Sequence, residues 1–273
     1  MAETAGAPVY VQKIRVRSSD VTVKRVMRIS TLLKYIQEGT VRHTTELGMG
    51  REMTLDRGLL WIITQQHLTI RRLPGYDEEI TLKTWPGAQL HLFFPRYTSI
   101  VDKAGEEIIS ARTLWALMDE KTRRPVFPQK YGVRIEGASK RGDFPLPRVA
   151  SLSDGDMRIL REDRTALFSE CDINGHMNNS EYFDLFDDML QEYRSSKSIV
   201  IDPISAGRLA DASGAAVSDS AVIPPYEISA EYIDEIPYET KYQALLCQSK
   251  TGYLLQGSKE EKVLFRIRLV VAD

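Results

Sequence analysis

The sequence predicts an α+β chain made of two tandem units, each an antiparallel sheet packed around one long helix. Three observations lead there. Two stretches carry apolar residues at helical spacing, Ile29, Leu32, Leu33 and Ile36 in the first half and Tyr182, Leu185, Phe186, Met189 and Tyr193 in the second. Each is followed by strand-like runs rich in Ile, Leu, Val, Thr and aromatic residues. Turns such as Pro74-Gly75 and Lys103-Ala104-Gly105 are too short for crossovers, so neighbouring strands should be antiparallel.

Bulk properties set limits. At 42% hydrophobic residues over 273 positions the chain can fill one large core or two ordinary ones. No apolar run is long enough to span a bilayer. The N-terminal residues Met1 to Pro8 lack the basic and apolar regions of a signal peptide, so a cytoplasmic protein is expected. A net charge of −2 gives no general attraction to nucleic acid. Cys171 and Cys247 form neither a disulfide framework nor a metal spacing, and His43, His67 and His91 show no metal spacing either.

In chain order, Tyr10 to Val16 reads as a strand, and a polar segment from Arg17 to Arg25 follows. The first helix has Ser30 as its expected cap and runs to His43, with Gly39 permitting close approach of a sheet. Strands are expected over Leu59 to Leu73, Glu79 to Trp85, Leu92 to Val101 and Glu107 to Met118. A helix stripe followed by such a sheet must be buried on it. From Lys121 to Arg148 prolines and glycines suggest a linker, with eight Lys or Arg against Glu136 and Asp143. The second half should begin with a strand at Arg164 to Ser169, continue through a helix, and end in strands at Tyr226 to Ile236, Thr240 to Ser249, Tyr253 to Gly257 and Val263 to Val271. Residues 195–225 read as a loop.

The segment from Cys171 to Phe186 concentrates the polar chemistry. Asn178 is a good helix cap and Glu181 completes the spacing of a capping box. Asp172, Asn174 and His176 therefore lie just before a helix N-terminus, where anionic charge is stabilised. Asp, Asn and Gly there are also ordinary loop chemistry. The halves can be overlaid. That overlay sets Asp20 against Asp172, Thr22 against Asn174 and Arg72 against Glu235. An arginine cannot serve as a general base, so one active site, in the second half, is expected.

Three blocks resemble the acyl-ACP thioesterase family. Asp172-Ile173-Asn174-Gly175-His176-Met177-Asn178-Asn179-x-x-Tyr182 is similar to its D-x-N-x-H-x-N-N-x-x-Y segment. Thr113 to Pro125 is similar to its W-x-x-M-(N/D)-x-x-T-R-R segment, and Glu231-Tyr232-Ile233-Asp234-Glu235-Ile236 to its E-Y-x-x-E-C segment. The resemblance implies two tandem hot-dog domains, at 1–125 for the acyl chain and 156–273 for catalysis, with a linker at 126–155. It implies hydrolysis of fatty acyl-acyl carrier protein thioesters, with Asp172, Asn174, His176 and Glu235 as catalytic residues. Ile236 stands where plant members often have Cys, so no thiol nucleophile is expected there. Glu235 and His176 would then activate a water, Asn174 would position His176 or the thioester, and Asp172 would bind the water or attack directly. The acyl chain should contact Ile36, Trp61 and Ile63, and Arg123 and Arg124 should face acyl carrier protein. No metal or cofactor is expected, because the phosphopantetheine arm belongs to the substrate. Neither nucleic acid nor stable membrane insertion is implied, and a homodimer is allowed. Two other readings stay open: an acyl-CoA thioesterase, and a non-catalytic acyl-carrier or lipid-binding hot-dog module.

Overall fold

The structure, a computed structural model, describes residues 8–137, 146, 148–153, 155–197 and 225–271. Its first half contains β1 (Tyr10–Arg15), α1 (Ile29–Glu46), β2 (Leu59–Ile70), β3 (Glu79–Pro86), β4 (Phe93–Val101) and β5 (Glu107–Asp119). The second half contains β6 (Met157–Thr165), α2 (Glu181–Lys197), β7 (Tyr226–Tyr232), β8 (Lys241–Ser249), β9 (Gly252–Lys259) and β10 (Lys262–Val271). The strands form one antiparallel sheet in the order β1-β3-β4-β5-β2-β7-β10-β9-β8-β6. Read outward from the centre, the two halves have the same strand order. The fold is a tandem hot-dog.

The halves join where β2 pairs with β7, from Gln65 opposite Glu231 to Ile70 opposite Tyr226. A bond of 2.8 Å between His67 Nδ1 and Ser229 Oγ crosses this seam. Pairing the two central strands removes both as exposed sheet edges. Helix α1 lays Ile29, Leu32, Leu33 and Ile36 on the sheet, and α2 lays Tyr182, Leu185, Phe186 and Met189. Strands answer with alternation, as in β3, where every second residue is buried. Phe183 and Phe186 are fully buried, so truncating either to Ala should cost about 3–5 kcal/mol. Gly39 permits the close approach its position suggests: a Cβ there would meet Leu82 Cδ2 at 3.1 Å.

Several local expectations need correction. Ser30 does not cap α1. It is buried inside the first turn, and the capping position falls on Arg28, which makes no side-chain cap bond. The strand expected at Arg164 to Ser169 lies earlier, at Met157–Thr165. The chain leaves the sheet at Ala166 and makes a 3-10 turn at Phe168–Glu170. The linker begins as a packed strap, because Val133 and Ile135 are buried against Leu59, Phe94 and Trp115. Within the linker, 138–145, 147 and 154 lie outside the described residues, as do 198–224 of the loop read at 195–225.

The internal repeat also has a different register. Bridges join Val21 to Met27 and Cys171 to Met177, and likewise Val26 to Gly75 and His176 to Pro237. Asp20 accepts the Arg17 N–H as Glu170 accepts that of Leu167. Asp20 is therefore the counterpart of Glu170. Thr22, Lys24 and Val26 stand opposite Asp172, Asn174 and His176, and Leu73 stands opposite Glu235. Matching by residue type had slid the overlay by two residues in the loop and one at the strand end. Hydrogen-bond roles fix it, because backbone geometry is shared where side chains are not.

Candidate active site

The segment from Cys171 to Met177 folds into a tight loop. Asp172 N–H donates to His176 O at 2.9 Å, and Gly175 N–H donates to Asp172 O at 3.0 Å. Gly175 has φ +79°, a conformation that side chains disfavour. Asp172 Oδ1 accepts the Asn174 N–H at 2.8 Å, an Asx turn that draws the carboxylate across the loop. Asn178 Oδ1 accepts both the N–H and the hydroxyl of Ser180, at 3.0 and 2.8 Å, just before α2 begins at Glu181. Asn178 thus organises the turn that leads into α2, while the position just before the helix is Ser180. Glu181 departs from the capping box and pairs instead with Lys34 of α1 at 2.7 Å, tying the two helices together.

The chain beyond β7 clamps this loop. Met177 N–H donates to Ile236 O at 2.8 Å. The clamp brings Glu235 alongside His176, with Oε2 at 3.1 Å from Nε2. The Ile236 side chain is fully buried. Beneath the loop, Tyr232 donates its hydroxyl to Asn179 O at 3.0 Å and meets Tyr182 edge to face. Tyr182 in turn packs on Phe265.

A third group completes the cluster. Arg123 Nη2 lies 2.7 Å from His176 Nε2, and its Nη1 lies 3.5 Å from Glu235 Oε1. Burial and the Arg123 charge lower the His176 pKa, while Glu235 and Asp172 oppose them, leaving the neutral imidazole favoured. The Cys171 thiol is pushed up by burial and by Asp172 and Glu170, and Cys247 is buried with its thiol also pushed up. Neither is prepared as a thiolate nucleophile.

A cavity of about 870 Å³ opens beside the loop, within the roughly 300–1,000 Å³ usual for ligand sites. Its walls come from both halves: Val41 and Thr44 of α1, Trp61, Phe94 and Trp115 of the sheet, and Asp172 and Asn174 of the loop. His176 and Glu235 do not line it; the backbone bond from Asp172 N–H to His176 O joins the His176 backbone to its wall. Of the residues expected to touch an acyl chain, Trp61 lines the cavity and Ile36 and Ile63 do not. Ile36 belongs to the core between α1 and the sheet, and Ile63 packs with Leu59 and Trp115. The cavity uses a neighbouring face of the same helix, so one rotation step along α1 separates core from wall.

Arg123 and Arg124 also part company. Arg124 remains on the exposed surface, whereas Arg123 turns to His176 and Glu235. Sequence reading missed a second feature, the pair Arg96 and His43. Arg96 is buried on the cavity wall and bonds His43 Nδ1 at 2.7 Å and Thr84 Oγ1 at 3.2 Å. Among the described residues no carboxylate pairs with Arg96. Burial pushes its pKa down to about 10, and burial plus the Arg96 charge hold His43 down to about 4. An Arg inside a strand pattern and a His on a helix stripe give no sequence signal of meeting.

Residues 7–135 match the family model for the acyl-ACP thioesterase N-terminal domain. A chloroplastic acyl-[acyl-carrier-protein] hydrolase of Cuphea viscosissima is 28% identical over 184 residues, covering 63% of this chain and 44% of the relative. A chloroplastic dodecanoyl-[acyl-carrier-protein] hydrolase of Umbellularia californica is 24% identical over 194 residues, covering 64% of this chain and 49% of the relative. The chain thus spans less than half the length of these curated relatives. Among solved structures, an acyl-ACP thioesterase from Bacteroides thetaiotaomicron superposes with a TM-score of 0.73 at 17% identity, covering 96% of this chain and 97% of that one. The 12:0-ACP thioesterase from Umbellularia californica gives 0.72 at 19% identity, with 96% of each chain covered. At such identities the likeness establishes the tandem fold.

Proposed function

We propose that this chain, which belongs to the acyl-ACP thioesterase family, hydrolyses fatty acyl-acyl carrier protein thioesters to free fatty acid and the carrier thiol. One observation carries the proposal: the apolar cavity walled by the first half opens onto Asp172 and Asn174 of the second. A long hydrocarbon tail and a reactive carbonyl need that juxtaposition.

In the proposed reaction His176, neutral at its Nε2, takes a proton from a water as its oxygen bonds to the thioester carbon. Glu235 stabilises the imidazolium so formed. Negative charge gathers on the carbonyl oxygen, near backbone N–H groups at the start of α2. The C–S bond then breaks, and the leaving sulfur recovers the proton from His176. Two roles fit Asp172: binding the attacking water, or adding to the carbon to give an anhydride that water then opens. In this reading Asn174, on the cavity wall, orients the thioester. The exposed cations Lys121, Arg124 and Lys130 of the segment after β5 suit an acidic carrier protein. Among the described residues no helix is long and apolar enough to cross a membrane, and a cytoplasmic location belongs to the same reading.

The test is thiol release from matched acyl-acyl carrier protein and acyl-CoA substrates by the purified protein. Faster turnover of the carrier-protein thioester supports the proposal. Equal or faster turnover of acyl-CoA would make it an acyl-CoA thioesterase, and acyl binding without thiol release would make it a binding module.

A further inference from the structure

We infer that Arg123, supplied by the half that lacks the catalytic groups, is a positioning residue that fixes His176 as an acceptor at Nε2 and holds the Glu235 carboxylate beside it. The inference deepens the thioesterase reading and rests on it for the reaction, though the placement of Arg123 stands on geometry alone. A guanidinium only donates hydrogen bonds. With Nη2 at 2.7 Å, His176 Nε2 accepts, and the ring proton sits on Nδ1. The same Nε2 lies 3.1 Å from Glu235 Oε2. When Nε2 gains a proton from water it can no longer accept from Arg123 and becomes a donor to Glu235. The guanidinium keeps its contact with the other carboxylate oxygen, at 3.5 Å. The proton on Nε2 is then held by Glu235 and repelled by Arg123, which favours handing it to the departing sulfur. The charged groups facing His176 are Glu235, Arg123 and Asp172.

The backbone gives a second, independent reason. Arg123 has φ +54°, in the left-handed region where a non-glycine residue carries strain. It sits in a turn that Asp119 organises: Oδ1 accepts the Lys121 and Thr122 N–H groups, and the Asp119 carbonyl accepts that of Arg123 at 2.9 Å. The turn itself would favour glycine at 123. An arginine kept in a glycine's conformation, reaching across to a residue 112 positions away, is needed for what it reaches.

The variants are Arg123→Gly, Arg123→Gln and Arg123→Lys, assayed on both carriers across pH and melted in parallel. The His176 ring is also titrated by NMR, its signal being identified by loss in His176→Asn. Arg123→Gly should keep or raise the melting temperature. It should lower kcat on both carriers about ten- to a hundredfold with little change in KM. The acid limb of kcat/KM and the His176 titration should both move to higher pH, since a positive charge has been removed. Arg123→Lys should recover part of each effect. A raised KM confined to the carrier-protein thioester, with kcat and the His176 titration unchanged, would make Arg123 a docking residue and overturn the inference. So would a fall in melting temperature with an unmoved titration, the mark of a structural tie. If the wild type cleaves neither thioester, the thioesterase reading fails. The His176 titration still decides the placement of Arg123, and no shift refutes it.

Discussion

Leu73 stands in the first half where Glu235 stands in the second. Each precedes a residue whose carbonyl accepts a methionine N–H at 2.8 Å: Pro74 from Met27, and Ile236 from Met177. A leucine can neither orient a base nor accept a proton, so the first half lacks this chemistry at its root. Glu235→Gln should lower kcat on the order of 10²–10⁴-fold. Leu73→Gln should leave kcat within a few-fold. Arg72, which bonds Glu78 at 2.8 Å and Asp102 at 3.0 Å, is a tie between turns. Arg72→Ala should cost roughly 1 kcal/mol or less and leave kcat intact. Melting curves beside rates check each variant, and an active, folded Glu235→Gln protein would sink the assignment.

The proposed hydrolysis should proceed without cysteine. Burial and the carboxylates beside it push the Cys171 thiol up, and Cys247 lies buried on β8. Cys171→Ala with Cys247→Ala should keep kcat within a few-fold, and thiol-modifying reagents should inhibit weakly. A folded but inactive double variant would mean that a thiol takes part.

Chain length should be set by cavity-wall residues rather than by the core stripe of α1. Leu60→Trp and Thr44→Phe fill space in the cavity and should move the released fatty acids to shorter chains, with turnover partly kept. Ile36→Phe overpacks a core and should cost about 1–3 kcal/mol without a directed shift in products. Gas chromatography of the released acids separates the two. Identical product profiles in all three variants would place the tail elsewhere.

His43 should make stability depend on pH. Its pKa lies at about 4 in the folded chain against an ordinary value of about 6.5. As pH falls from 6.5 through 4 the unfolded chain binds a proton that the native one refuses, so stability drops over that window and is full above it. His43→Gln keeps an acceptor for Arg96 and removes the titration. The wild type should therefore lose more melting temperature between pH 7 and pH 4.5 than His43→Gln. Parallel losses would show that His43 titrates normally.

Much of the fold was legible because it follows from local pattern. The stripe from Tyr182 to Tyr193 and the alternation of β3 specify a helix and a strand wherever they pack. The short turn at Lys103-Ala104-Gly105 forces β4 and β5 to be antiparallel neighbours. The polar segment before α2 was legible too, since Asn178 and Gly175 carry turn and cap chemistry in their own residue types. Legibility ended where two residues of one type competed for one place. Asp20 looked like the partner of Asp172 because both are aspartates, while the hydrogen bonds pair it with Glu170.

By itself, then, the sequence determined most of the segments that fold into strands and helices, that they repeat, and that Asp172, Asn174, His176 and Glu235 all fall in the second half. These follow from backbone preferences and burial periods that each segment holds on its own. Tertiary structure alone decided that β2 pairs with β7, that Val41 and Thr44 rather than Ile36 face the cavity, and that Arg123 reaches His176 and Glu235. Each of these is a distance between groups far apart in the chain. Such a distance is set by how two packed layers settle against each other, and no local pattern of residues encodes it.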